Sequence, residues 1–429
     1  VILERKSHAF GHLASEELDG FTWDEGPHVS FTVQDYVKDL FAESVGGSFL
    51  DYPAAVGNWF HGHWIDHPAQ SNLYQAPKNI REESVASFLN SRPSADQSIP
   101  APENYGEWLE QAFGPVFAEH FPRPYTRKYW TVEPELLGTD WVGGRVFRPA
   151  VDDVLKGSEG PLDRPTHYIK TVRYPERGGY QAFVEGLAEG ADVRLNRAVV
   201  SIDLGSRIVT TADGQEWHYQ NLINTLPLPV FVSLCRQSTD EMKNAALSLA
   251  CSQLLLVNVT APHPTRRPEH WLYVYDEDML STRINFTESL SPQNAPPGHT
   301  GIQVEVYSSR FRPLPGDDEF IRRKVVDELV EMKLLDGEMR ENATAFIRRV
   351  DWANVIFTRE TASLLEVIWS GLEAHGLVRE PDDLQPLTLW NEQVPQQIGS
   401  LVMAGRFGQW KYFWTADCVL RGKQIADRC

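Results

Sequence analysis

The sequence predicts an α/β protein of several domains, in which a Rossmann-like parallel sheet is interrupted by a helical domain and by a second, antiparallel sheet with flanking helices. Three observations predict it. Apolar runs that read as buried parallel strands stand at the start, the middle and the end of the chain: Val1-Ile2-Leu3, Leu222-Ile223-Asn224 and Leu401-Val402-Met403. Between the first two, residues 76–160 read as mostly helical. Between the last two, strand patterns recur from Leu254 to Tyr307. A chain of 429 residues has room for all three units.

In chain order, Val1-Ile2-Leu3 is closed by Glu4, as in a parallel strand whose carboxylate sits at its C-terminal end. In dinucleotide-binding folds such an acid follows a Gly-x-Gly-x-x-Gly turn by roughly 20 residues, so the first strand, its turn and its helix are expected upstream of Val1. The competing reading makes Glu4 a surface residue at a frayed terminus. Glu107-Trp108-Leu109-Glu110-Gln111-Ala112-Phe113 has apolar positions at helical spacing, and prolines mark the ends of such segments. Residues 191–195, 198–204, 207–211 and 216–219 form short strands separated by Gly205-Ser206 and Asp213-Gly214 turns, an antiparallel meander. Strands follow at 254–259, 271–275, 283–287 and 301–306, amphipathic helices at 317–335 and 361–376, then a buried strand at 401–405 and a helix at 417–426. The expected division is a nucleotide domain from 1–75, 165–253 and 385–429, a helical domain at 76–164, and a sheet domain at 254–384.

Forty basic against 59 acidic residues leave a formal charge of -19, which repels nucleic acid and anionic membranes and leaves an anionic ligand dependent on a local basic cluster. No stretch has the roughly 18 uninterrupted apolar residues of a membrane span. Cys235, Cys251, Cys418 and Cys429 are in no metal-ligand spacing, which suits a reducing, cytoplasmic compartment. His61, His63 and His67 stand in a loop without cysteine partners and read as hydrogen-bonding histidines, with a metal site as the alternative. There is no Gly-x-Ser-x-Gly elbow, Cys-x-x-Cys pair or Walker loop.

Five segments, in the same order along the whole chain, resemble the flavin-dependent UDP-galactopyranose mutases and, more widely, the amine oxidase and protoporphyrinogen oxidase flavoproteins. The first runs from Glu4 through Phe10-Gly11-His12-Leu13-Ala14-Ser15 to Gly26-Pro27-His28-Val29-Ser30-Phe31. It is similar to the family's strand-ending Glu, Gly-Gly-Leu-Ala turn and Gly-Gly-His-Val-x-Phe segment, with His12 and Pro27 standing where the family has glycine. Pro68-Ala69-Gln70-Ser71-Asn72 is similar to a Pro-x-Gln-x-Asn segment. Trp108 to Trp130 and Trp141-Val142-Gly143-Gly144-Arg145-Val146 correspond to a stretch that lines the sugar-nucleotide cleft, or form a basic and aromatic helical surface. Arg173 to Tyr180 resembles a Tyr/Phe-Pro-x-x-Gly-Gly turn, whose glycines either cradle an anion or allow tight packing. Trp271-Leu272-Tyr273, Arg283 and Ser289-Leu290-Ser291-Pro292 resemble a segment that supplies a tyrosine and an arginine to a diphosphate. Paired with it as the second half of the fifth segment, Gly405-Arg406-Phe407-Gly408-Gln409-Trp410-Lys411-Tyr412 with Asp417 resembles the C-terminal flavin motif.

The resemblance implies a non-covalent FAD held by Glu4, Gly11, Leu13, Ala14, Gly26, His28, Val199, Gly405, Arg406 and Asp417. It implies a substrate cleft with Asn72, Trp271, Tyr273, Arg283 and Tyr412, and catalytic roles for His28, Arg145, Arg283 and Tyr412. Arg283, helped by Arg145, would stabilise a leaving diphosphate, and His28 would hydrogen-bond or tune the flavin ring. The competing reading of Arg283 is a salt bridge to one of the many carboxylates. The implied activity is mutase-like, on a nucleotide sugar of surface-polysaccharide metabolism. The alternatives are an FAD oxidoreductase of the amine oxidase or protoporphyrinogen oxidase type, and a non-catalytic fragment. One departure stands out: where many mutases show Tyr-Pro-x-Pro, this chain has Asn354-Val355-Ile356-Phe357-Thr358, which removes a hydroxyl from the diphosphate site. The expected partner is a small molecule, without nucleic acid or stable membrane insertion; a homodimer is compatible with the sequence.

Overall fold

A computed structural model describes residues 1–92, 100–164, 166, 169–390 and 398–428, so Cys429 lies outside the described residues. The expected parallel strands occur in two pairs, one of them completed by a strand that the sequence places in the antiparallel meander. Ile2–Leu3 pairs with Val193–Arg194, and Leu222–Asn224 with Leu401–Met403. The meander Val199–Asp203, Ile208–Thr211 and Glu216–His218 is antiparallel throughout. Its Gly205-Ser206 turn is held by Asp203, whose carboxylate accepts both N–H groups at 3.0 Å.

The large sheet has seven strands, in the order Thr344–Ile356, Ala250–Ala261, Thr300–Ser308, Arg283–Phe286, Trp271–Val274, Val56–Phe60 and His63–Asp66. Two features were not anticipated. Val56–Phe60 and His63–Asp66, grouped by sequence with the nucleotide domain, are hydrogen-bonded into this sheet, the first of them parallel to Trp271–Val274. Thr344–Ile356 has no clean apolar alternation because it is an edge strand whose Arg348, Arg349 and Asp351 face outward or toward charged partners. Ile321, Val325, Val326 and Leu329 of the helix Asp318–Glu331 cover one face, against Val257, Ile302 and Val304. Each such fully buried side chain contributes about 1.5–3 kcal/mol.

Within the helical insertion, the helix Tyr105–Phe113 opens on a reciprocal cap. Asn104 Oδ1 accepts the Glu107 N–H at 3.0 Å, while Glu107 Oε1 accepts from Asn104 Nδ2 at 3.0 Å. Pro115 and Pro122 open the next two helices, Pro115–His120 and Pro122–Tyr129, where a missing N–H costs nothing. Phe117 stacks on Phe121 at 4.5 Å and Phe121 on Phe60 at 4.4 Å, so the insertion is anchored on the strand Val56–Phe60. Among the described residues no helix is long and apolar enough to cross a membrane.

Candidate functional site

Arg283 opens its strand directly across from Glu305 in the register of the antiparallel pair, which places both side chains on one face. Its Nε and Nη2 each lie 2.7 Å from a Glu305 oxygen, a bidentate pair, and Glu305 is 1 % exposed. Burial pulls the guanidinium pKa down, Glu305 more than reverses this, and the net position is well above the usual value. The arginine expected to be a free grip for a diphosphate is therefore half of a neutral pair. Tyr307 adds its hydroxyl to Glu305 at 2.9 Å.

Tyrosines gather around this pair. Tyr125 and Tyr129, one turn apart on the helix Pro122–Tyr129, stack at 5.6 Å; Tyr125 meets Tyr273 at 5.4 Å, and Tyr129 meets Tyr307 at 4.8 Å. Burial pushes the phenols of Tyr125, Tyr129, Tyr273 and Tyr307 up, so they act as hydroxyls.

The C-terminal loop supplies the next wall. Gly405 has φ 77°, a turn for which glycine is the natural residue, and it delivers Arg406. Arg406 Nη2 donates to Asn354 Oδ1 at 2.7 Å, which also accepts the Tyr129 hydroxyl at 3.3 Å. The asparagine that replaces the family's tyrosine thus ties the loop to the helical insertion. Arg145 Nη2 donates to the Tyr412 carbonyl at 3.0 Å and to Asp417 at 3.1 Å. Its guanidinium lies 3.3 Å over the Trp414 ring, and Arg145 and Arg406 flank the Tyr412 ring at 5.2 and 5.3 Å. Asp417 stands in the first turn of the helix Thr415–Ala426 as expected, but its carboxylate is engaged there, accepting the Trp414 N–H at 2.8 Å and the Trp390 indole at 3.1 Å.

The N-terminal segment closes the cluster. Gly26 has φ 99°, and a Cβ there would lie 3.1 Å from Glu305 Oε1, so the chain passes hard against the Arg283 pair. His28 has an enclosed Nδ1 with no hydrogen-bond partner, and burial, helped by His12 and Arg283, pulls its pKa to about 4; the imidazole is neutral. His12 Nδ1 lies 2.5 Å from Glu25, which also binds Arg348 at 2.8 Å, and the His12 ring meets Phe407 at 5.5 Å. Contact between the turn after Glu4 and the Arg406 loop therefore exists. The substituted glycines do not disturb the path, because the left-handed conformations fall on Phe10, Gly11 and Gly26 rather than on His12 or Pro27.

Other expected residues have partners of their own outside the Arg283–Glu305 pair. The half-buried Glu4 carboxylate accepts the Lys6 N–H at 2.7 Å, and Val199 pairs with Thr211 in the meander. Asn72 donates to the Pro68 carbonyl at 3.1 Å, His67 bonds Asn58 at 3.0 Å, and His61 lies 3.6 Å from Asp276. Leu13 packs against an apolar cluster and Ala14 is buried. Trp271 lies deeper than Tyr273, against Ile169 and Val172. Gly179, with φ 69°, serves close packing: a Cβ there would overlap Ser15 Oγ and lie 2.7 Å from Asp24 Oδ1. Glu305, Tyr307 and Asn354 were missed as site residues; an acid in the strand-patterned stretch Ile302-Gln303-Val304-Glu305-Val306 was the available signal.

The donor set fits a flavin dinucleotide, whose diphosphate and ring edges are rich in acceptors. Arg145 Nη1 and Arg406 Nε are buried donors without a protein acceptor, the buried His28 Nδ1 is also unpartnered, and open space adjoins Gly405. A family model described as flavin containing amine oxidoreductase matches residues 1–429. Among solved structures the chain is similar to reduced UDP-galactopyranose mutase, with 21% identity and a TM-score of 0.81 over 96% of this chain and 85% of that one. It is also similar to a protein from Exiguobacterium sp. 255-15 assigned as a protoporphyrinogen oxidase, with 17% identity and a TM-score of 0.67 over 99% and 91%. A redesigned putrescine oxidase follows, with 11% identity and a TM-score of 0.58 over 99% and 93%. At these identities the likeness to solved structures concerns the fold.

Proposed function

The chain belongs to the flavin containing amine oxidoreductase family, and from that membership we propose that it is an FAD-dependent enzyme whose cleft takes a nucleotide sugar, in the manner of the UDP-galactopyranose mutases. The observation that carries this reading is the cluster of tyrosines and arginines around the Arg283–Glu305 pair. Tyr125, Tyr129, Tyr273, Tyr307 and Tyr412 bring phenols and aromatic faces, and Arg145, Arg283 and Arg406 bring the cations, in a protein of net charge -19. Hydroxyls and guanidinium groups suit a ligand made of a sugar and a diphosphate. Arg406, Arg145 and His28 would hold the non-covalent flavin, and Tyr273, Arg283 and Tyr412 would face the substrate. When bound, the flavin supplies a ring nitrogen able to act as nucleophile or hydride acceptor. The unpaired cysteines Cys235, Cys251 and Cys418 support a cytoplasmic location.

A second reading, an FAD oxidoreductase, draws support from one observation. Glu305 neutralises Arg283, and Asn354 stands where a phosphate-binding tyrosine would be, so the site offers a diphosphate one free cation and one hydroxyl fewer. The holoprotein, reduced and mixed with UDP-galactose, separates the two. Formation of UDP-galactofuranose, followed by chromatography and NMR, is the expected result; no furanose, together with peroxide release from an amine such as putrescine, would overturn it in favour of the oxidoreductase.

A further inference from the structure

Lys128 sits on the helix Pro122–Tyr129 between residues that face the cleft, yet it is only 2 % exposed. Its ammonium crosses from the helical insertion into the sheet domain. Nζ donates to the carbonyls of Val274, Asp276 and Ser281 at 3.0, 2.7 and 2.7 Å. Those carbonyls lie at the two ends of one loop, the connection between Trp271–Val274 and Arg283–Phe286. An ammonium has one N–H for each carbonyl, whereas a neutral amine would turn a lone pair on the third.

The same loop is gripped from the opposite side. Glu328, 1 % exposed on the helix Asp318–Glu331, accepts from the Leu280 N–H at 2.7 Å, the Ser281 N–H at 2.9 Å and the Ser281 hydroxyl at 2.6 Å. Asp276, within the loop, accepts the His61 N–H at 2.9 Å. Carbonyls of 274–281 thus meet a buried cation, and amides of 280–281 a buried anion. Burial pulls the Lys128 pKa down to about 7 against the opposing pull of Glu328 and Asp276, and the three carbonyl acceptors favour the ammonium form. An apolar contact would join two domains as firmly; what the charges add is a fixed register for one loop.

We propose that Lys128 is a positioning residue, which with Glu328 fixes the loop 275–282 so that Tyr273 at its entry and Arg283 at its exit are held in the cleft. The proposal rests on the cleft reading given above. Lys128→Met in the holoprotein tests it. Hydrogen exchange should quicken about tenfold or more across 275–286. Phenylglyoxal modification of Arg283, located by mass spectrometry, should quicken as well, while the flavin spectrum and the protection of 250–261 stay unchanged. With UDP as the probe, the dissociation constant should rise about tenfold. A folded Lys128→Met protein with unchanged exchange at 275–286 and unchanged Arg283 reactivity would overturn the proposal. If Lys128→Met fails to fold, Ser281→Ala takes its place: it removes one of the Glu328 bonds, and wild-type exchange at 275–286 in that variant would likewise overturn the proposal. Exchange and Arg283 reactivity need no substrate. A wild type that ignores UDP would therefore sink the nucleotide-sugar reading alone, whereas tight UDP binding beside an unmoved loop would sink this inference alone.

Discussion

Replacing Glu305 with Gln should make the protein less stable and its hold on a diphosphate stronger. Glu305 is fully enclosed, and both of its oxygens take N–H groups from Arg283, whose side chain keeps 23% of its exposure. Breaking a buried pair by removing one charge costs about 3–5 kcal/mol. The remaining amide still accepts one bond and Arg283 reaches some solvent, so about 2–3 kcal/mol is the expected loss. At the substrate the sign reverses. A carboxylate about 7 Å from a phosphate repels it by about 2 kcal/mol at an effective dielectric constant of about 20. Removing that repulsion tightens UDP binding about 30-fold. Urea unfolding and calorimetric titration with UDP measure the two effects. Lost stability with unchanged UDP affinity would refute the assignment of Arg283 to the ligand's charge, and unchanged stability would refute the enclosed pair itself.

The neutral His28 makes the unliganded protein acid-sensitive. Its folded pKa of about 4 lies below the ordinary 6.5, so the unfolded chain takes the proton first; stability is full above pH 6.5, falls as pH drops from 6.5 toward 4, and is flat below. The loss is at most about 3–4 kcal/mol, less what solvent returns at the part of the ring it reaches, and His28→Gln should flatten the slope of unfolding free energy over that window; equal slopes would contradict the shift. Gly179→Ala should lower the unfolding free energy by about 2–4 kcal/mol, because it adds left-handed strain to a clash with Ser15 and Asp24, whose carboxylate also holds Ser15 and Tyr174. A neutral result in urea unfolding would show that the hairpin of 15–24 yields easily.

Local patterns carried most of the fold. The strands at 193–224, 250–308 and 401–403 and the helices at 318–331, 361–373 and 415–426 have the periodicity and turn residues that the sequence displays openly. What stayed hidden depends on partners far away in the chain. Glu305 and Arg283 are separate residues in the sequence and one group in the structure, because an antiparallel register sets them face to face. The competing reading of Arg283 as a salt bridge describes its contacts. Asn354 looked like a loss and proves to be a junction between Arg406 and Tyr129. Thr344–Ile356 was obscured by the charges that suit an edge, and Val56–Asp66 by proximity to the N-terminal segment. Lys128 carried no signal, since a lysine beside tyrosines on a helix reads as a solvated face.

The parallel seam between Val56–Phe60 and Trp271–Val274 also has a consequence for biosynthesis. Its two halves leave the ribosome about 200 residues apart, so the first must wait through translation of the helical insertion and the meander before its partner exists. The helices of 105–129 can form early from local contacts, but Phe60, on which Phe121 and behind it Phe117 settle, hangs on a strand still lacking its sheet. Nascent chains of this protein therefore carry an adhesive apolar strand while about 200 further residues are made, and final closure of the cleft waits on that partner.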